Sequence, residues 1–139
     1  MLSTSILAKN VSRRAGVIVL VVDDDADMRG VWKHMLSNGI PGVLAVDAVN
    51  GLEGVRLAQE LQPDLIIMDV AMPALDGFQA TRRLKGDTAT SSIPVLAVTG
   101  RVFSSQEALS AGCDGYLLKP VSENHLLGEI TRLLGGALR

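Results

Sequence analysis

The 139-residue chain suits a single domain, and a domain of that size hides roughly two-thirds of its unfolded surface, enough for a core without staples. Hydrophobic residues make up 47% and charged residues 20%, an ordinary globular balance, while aromatics at 3% leave aliphatic side chains to fill the interior. The net charge of -2 lacks the basic surplus of nucleic-acid binders, the single cysteine, Cys113, excludes an internal disulfide and fits a reducing compartment, and no apolar run approaches the roughly 18 residues of a membrane helix.

Met1 to Ala15 carries Lys9, Arg13 and Arg14 but no continuous apolar stretch, so a loose tail (1–16) is expected rather than a signal peptide. The expected setting is the cytoplasm. Val17-Ile18-Val19-Leu20-Val21-Val22 is almost wholly β-branched and lacks polar alternation, the mark of a strand buried on both faces. Asp27 to Leu36 follows as a helix with an apolar core stripe of Met28, Val31, Trp32, Met35 and Leu36, before Gly39, Pro41 and Gly42 break the chain. A weaker strand is expected from Val43 to Val46. Leu52, Val55 and Leu61 mark the next helix, which Pro63 closes.

Asp64 to Asp69 is the clearest strand after the first, and Asp76 can cap a helix carrying Phe78 and Leu84. After a polar loop from Gly86 to Ser92, Pro94 to Thr99 reads as a fourth strand. Ser104-Ser105-Gln106-Glu107 has the pattern of a capping box for a short helix ending at Gly112. Tyr116 to Leu118 is a fifth strand, and Ser122 opens a last helix that runs through Leu134 to Gly135-Gly136. Five strands alternating with five helices predict a parallel sheet covered on both faces. The expected domain is 17–135, with a tail at 136–139 and no linker to an output domain.

Polar residues collect at the strand ends. Asp23 and Asp24 follow the first strand, Asp69 ends the third, Thr99 the fourth and Lys119 the fifth. In an open α/β sheet the carboxyl ends of the strands border the ligand crevice. Three carboxylates meeting there would repel one another unless a cation joined them, and oxygen ligands without His or Cys favour Mg²⁺. Lys119 supplies a positive charge for a phosphoryl oxygen and Thr99 a hydroxyl donor. A carboxylate beside the metal can act as nucleophile toward phosphorus.

The stretches Val21-Val22-Asp23-Asp24-Asp25, Met68-Asp69-Val70-Ala71-Met72-Pro73, Asp76-Gly77, Val98-Thr99-Gly100 and Leu118-Lys119-Pro120 together resemble the receiver domain of two-component response regulators, of the single-domain, chemotaxis-regulator type. The resemblance spans about Val17 to Leu134. It implies a flavodoxin-like, doubly wound five-stranded sheet in the order 2-1-3-4-5. Asp69 becomes the phospho-acceptor. Asp24 and Asp69 would hold Mg²⁺ directly, Asp23 through water, and the Ala71 backbone carbonyl would complete the protein ligands. Thr99 and Lys119 would sense the phosphoryl group, Tyr116 would be a rotating switch residue, and Lys119-Pro120 matches a junction that is often cis. The implied donor is a sensor histidine kinase or a histidine phosphotransfer protein. The implied output is a protein–protein contact, without nucleic-acid binding, membrane insertion or enzymatic turnover of a separate substrate.

Two other functions stay in view. A phosphohydrolase similar to the haloacid dehalogenase family would want a second acid two residues after the nucleophile, where Ala71 stands. A receiver-like module that has lost phosphorylation would merely recruit partners. Asp25 and Asp27 read as an acidic helix start, His34 and His125 as solvated surface residues, and Cys113 as a small packing residue. Ala71 replaces a polar side chain common at that position in the family, and the segment between Thr99 and Lys119 is short.

Overall fold

The structure, a computed structural model, describes residues 16–100 and 105–135. Residues 1–15 of the expected tail at 1–16, the expected tail at 136–139, and Ser104 of the expected capping box lie outside these residues. The elements run β1 (Ile18–Val22), α1 (Ala26–Gly39), β2 (Leu44–Ala48), α2 (Gly51–Leu61), β3 (Leu65–Asp69), α3 (Gly77–Gly86), β4 (Val95–Thr99), α4 (Ser105–Ala111), β5 (Gly115–Leu118) and α5 (Glu123–Leu134). All pairings are parallel, in the order β2-β1-β3-β4-β5. This is the flavodoxin-like order that the motifs imply.

Every residue of β1, β3 and β4 is buried, whereas β5 alternates between half-buried and exposed positions and β2 is mostly half-buried. The three fully buried strands thus form the centre, and the two partly exposed strands form the edges. Successive β1 residues point to opposite faces. Val19 and Val21 join Trp32, Leu36, Leu126 and Ile130 beneath α1 and α5. Leu20 and Val22 join Ala58, Ala80 and Leu84 beneath α2 and α3. A third cluster, Val70, Phe78, Ala97, Ala108 and Ala111, seats α4.

Helix ends follow the chemistry of their flanking residues. Asp25 caps α1 by accepting from Asp27 N, Asn50 caps α2 through Glu53 N, and Ser122 caps α5 through His125 N. Asp76 forms a complete capping box with Gln79. Two boundaries differ from expectation by more than one residue, the ends of α1 and β2. Helix α1 continues three residues beyond Leu36, because Gly39 lets Leu127 of α5 approach: a Cβ there would lie 2.2 Å from Leu127 Cδ1. Strand β2 starts one residue later and continues to Ala48, since the charge of Asp47 is met by Arg29 at 3.2 Å and Lys33 at 2.8 Å.

Polar groups at the amino ends of the strands are bound structurally. Asp64 Oδ2 accepts from Ile18 N, and Asp114 Oδ2 accepts from Val95 N, both at 2.8 Å. Lys85 Nζ donates to Asp114 Oδ2 at 2.9 Å, Ile93 O at 2.8 Å and Ser91 O at 3.2 Å. Gly112, at φ +94°, leaves room for the Lys85 side chain: a Cβ there would come within 2.9 Å of Lys85 Cγ.

The loop from β3 to α3 packs backbone directly against backbone. Gly77 N donates to Val70 O at 2.9 Å, and a Cβ on Gly77 would lie 2.3 Å from Asp69 O and 2.7 Å from Val70 Cα. Backbone cannot give way there as a side-chain tip could. Gly77→Ala is therefore expected to lower stability by about 1–3 kcal/mol, toward the upper end, in urea or thermal denaturation. Ala74 in the same loop holds φ +65°, a left-handed conformation that costs an L-residue free energy. Ala74→Gly is expected to raise stability by about 1 kcal/mol, and an unchanged or lower denaturation midpoint would contradict this account.

Candidate functional site

Strand register assembles the acidic site. Val22 lies opposite Met68, so the next residues along each strand, Asp23 and Asp69, emerge side by side. Asp69 is opposite Val98 and Thr99 is opposite Leu118, which steps Thr99 and Lys119 onto the same carboxyl edge. Carboxylate oxygens of Asp23, Asp24 and Asp69 lie within 4.8 Å of one another. Asp23 and Thr99 are fully buried, Asp69 is 6% exposed, and Asp24 stands open to solvent.

Lys119 Nζ bridges the two buried acids, 3.6 Å from Asp23 Oδ2 and 3.8 Å from Asp69 Oδ1. One ammonium against three carboxylates leaves a surplus of negative charge. Asp69 Oδ1 also accepts a long 3.4 Å hydrogen bond from Ala71 N. Asp23 is held more firmly, since Oδ1 accepts from Asp25 N at 2.9 Å and Oδ2 from Trp32 Nε1 at 3.2 Å. Arg29 Nη1 donates to the Asp23 carbonyl at 2.9 Å while its Nε pairs with Asp47. Lys119 N donates to Thr99 O at 2.9 Å, tying the ends of β4 and β5, and the Lys119–Pro120 peptide is cis.

The arrangement fits a hard divalent cation. Its donors are carboxylate oxygens, their excess charge is uncompensated by the protein, and the exposed Asp24 leaves the rim open to water-carrying ions. The structure brings together Asp23, Asp24, Asp69 and Lys119, with Thr99 buried at the adjacent strand end. Ala71 is exposed beside Asp69. Tyr116 does not join this group: it lies opposite Ala97, is 44% exposed, and lines a shallow hollow with Leu109, Cys113 and Arg132.

Of the remaining sequence readings, Val31 departs from the expected core stripe: it is 40% exposed, at a hollow that it lines with Met28, Met35 and Pro120. Asp25 is a helix cap, Asp27 is an exposed first-turn residue, and His34 and His125 are exposed. Cys113 packs against the third core cluster, and burial pushes its thiol pKa up. The residue that sequence reasoning missed is Trp32. Its spacing marked it as core, which it is, but gave no sign that its indole reaches Asp23. Arg29 was likewise unread.

The profile of the response regulator receiver domain matches residues 19–131. The chain belongs to that family. It is 40% identical to protein PilH of Pseudomonas aeruginosa, over 85% of this chain and 98% of PilH. It is 34% identical to the chemotaxis protein CheY of Halobacterium salinarum, over 84% and 95%. Among solved structures, the receiver domain of a sensor histidine kinase from Pseudomonas aeruginosa superposes with a TM-score of 0.80 at 30% identity, over 88% of this chain and all of that one. That neighbour carries a magnesium ion in its active-site cleft. The chain is thus a receiver, a phosphoryl-accepting signalling switch of two-component systems, and no described helix is long and apolar enough to cross a membrane.

Site electrostatics carry a measurable signature. In the metal-free receiver Asp69 is pushed up from 3.8 to about 6, first by burial and next by the Asp23 charge, with Lys119 and Ala71 N only partly opposing. The folded state therefore holds this proton more tightly than the unfolded chain, so ionisation costs stability as pH rises from about 4 to about 6, and the cost stays constant above. Asp69→Asn removes that cost. In EDTA, its stability relative to wild type is expected to grow by about 1–2 kcal/mol across this window, after allowing for solvent at the rim. A pH-independent difference in denaturation midpoints would show that Asp69 is not perturbed.

Proposed function

We propose that Asp69 is the phospho-acceptor and that Asp23, Asp24 and Asp69 hold Mg²⁺ around it. The single observation that carries this reading is the convergence of three carboxylates and one lysine at the carboxyl edge of the sheet. Asp24 and Asp69 would hold the ion directly, Asp23 would hold it through water, and the Ala71 carbonyl would complete the protein ligands. When bound, the ion offsets charge on the transferring phosphoryl group and on the acceptor.

The chain's own residues do the rest. An oxygen of ionised Asp69 attacks the phosphorus of a phosphohistidine on a sensor kinase or a histidine phosphotransfer protein. The new O–P bond forms as the N–P bond breaks, and the imidazole keeps the leaving electron pair. Lys119, already 3.8 Å from Asp69 Oδ1, shifts its charge to a phosphoryl oxygen. The Thr99 hydroxyl donates to another, drawing the end of β4 toward the site. Tyr116, half-exposed on β5, then turns inward and biases the two-state equilibrium that a protein partner reads.

Ala71 offers no group able to exchange protons, which supports a switch that holds its phosphoryl group over a phosphohydrolase. We assign residues 17–135 as the switching domain, with its signal delivered by protein contact in the cytoplasm rather than by turnover of a separate substrate. Incubation with acetyl phosphate and Mg²⁺ is expected to add one phosphoryl group to the wild type, seen by intact-mass spectrometry. Asp69→Asn should show no gain and EDTA should abolish it. Equal labelling of the variant would refute the assignment.

A further inference from the structure

Trp32 is the only tryptophan of the chain and is 2% exposed on α1, with its ring in the core beneath α1 and α5. Packing accounts for the ring but not for the direction of its one polar atom. The indole N–H donates to Asp23 Oδ2 at 3.2 Å, in a bond that is itself buried. The same oxygen lies 3.6 Å from Lys119 Nζ, and that ammonium stands 5.9 Å from the centre of the Trp32 ring. One side chain therefore touches both groups that flank Asp69: the buried acid through its N–H, and the lysine through its electron-rich face.

We propose that Trp32 is a positioning residue of the cation site, fixing the orientation of Asp23 and giving Lys119 its resting place. This rests on the reading that Asp23, Asp24 and Asp69 hold a divalent cation. A carboxylate rotates readily about its terminal bond. Here Asp25 N holds Oδ1 and Trp32 Nε1 holds Oδ2, so the carboxylate plane is set before any ion arrives. Arg29 pins the carbonyl of the same residue. Groups that hydrogen-bond to ligands in this way commonly tune metal affinity by an order of magnitude or more when removed. The indole face favours an ammonium while no phosphoryl group is present, and it releases that ammonium without breaking a hydrogen bond.

Trp32→Phe keeps a ring for the core and for Lys119 but lacks the N–H. Calorimetric titration with Mg²⁺ is expected to give binding about tenfold weaker than wild type. Ile130→Val, which trims the same core without reaching Asp23, should bind Mg²⁺ as the wild type does. Affinity of Trp32→Phe within about twofold of wild type overturns the proposal, as does an equal loss in Ile130→Val. Absence of Mg²⁺ binding by the wild type instead refutes the cation site itself. Should Trp32→Phe not fold, the wild type suffices: its single indole N–H resonance is expected to shift in step with Mg²⁺ occupancy, and a static resonance overturns the proposal.

Discussion

Three carboxylates held within 4.8 Å at the end of a buried sheet repel one another, and much of the surrounding structure answers that repulsion. Burial raises the pKa of Asp69. Lys119 spans two of them, backbone N–H groups of Asp25 and Ala71 reach one oxygen each, and the Trp32 indole takes another. The compensation is uneven. Asp23 receives two good hydrogen bonds, whereas Asp69 has one long bond and a distant ammonium. The better-satisfied acid is suited to stay fixed, and the less-satisfied one is raised to about 6 and suited to react.

Holding the site demands close backbone contact behind it. Gly77 brings the start of α3 against the Asp69 carbonyl, and Gly77 N closes the turn onto Val70 O. Val70 and Phe78 then enter the cluster that seats α4. The acceptor is thus joined through a few rigid contacts to the helix that follows Thr99. The same loop tolerates a left-handed alanine at position 74, a conformational cost located directly beside the chemistry.

Strand runs, helix caps and strand-end acids were legible because each has a local cause. A short β-branched run with no polar break reads as a buried strand, and Asp76 three residues before Gln79 reads as a cap. What stayed hidden depends on partners distant in sequence. Helix α1 passes Leu36 because Leu127 fills the space that Gly39 leaves. Strand β2 outlasts its apolar residues because Asp47 finds Arg29 and Lys33. Periodicity placed Trp32 on the correct face of its helix, but a period says nothing about where an indole N–H points. The same limit applies to Tyr116, whose residue type suggests a role while its exposed place on an edge strand follows from packing.

The network around Lys85 has a mechanical meaning. It joins the end of α3 to the approach to β4 and, through Asp114, to the approach to β5, while Asp64 ties β3 to β1 at the same end of the sheet. The sheet is therefore clamped by side chains at its amino end, whereas at its carboxyl end the side-chain ties converge on the acidic site, through Lys119 to Asp23 and Asp69. The two ends are thus held differently: the amino end by hydrogen bonds from Lys85 and to Asp64 and Asp114, the carboxyl end by an acid-rich cluster whose charge Lys119 only partly offsets.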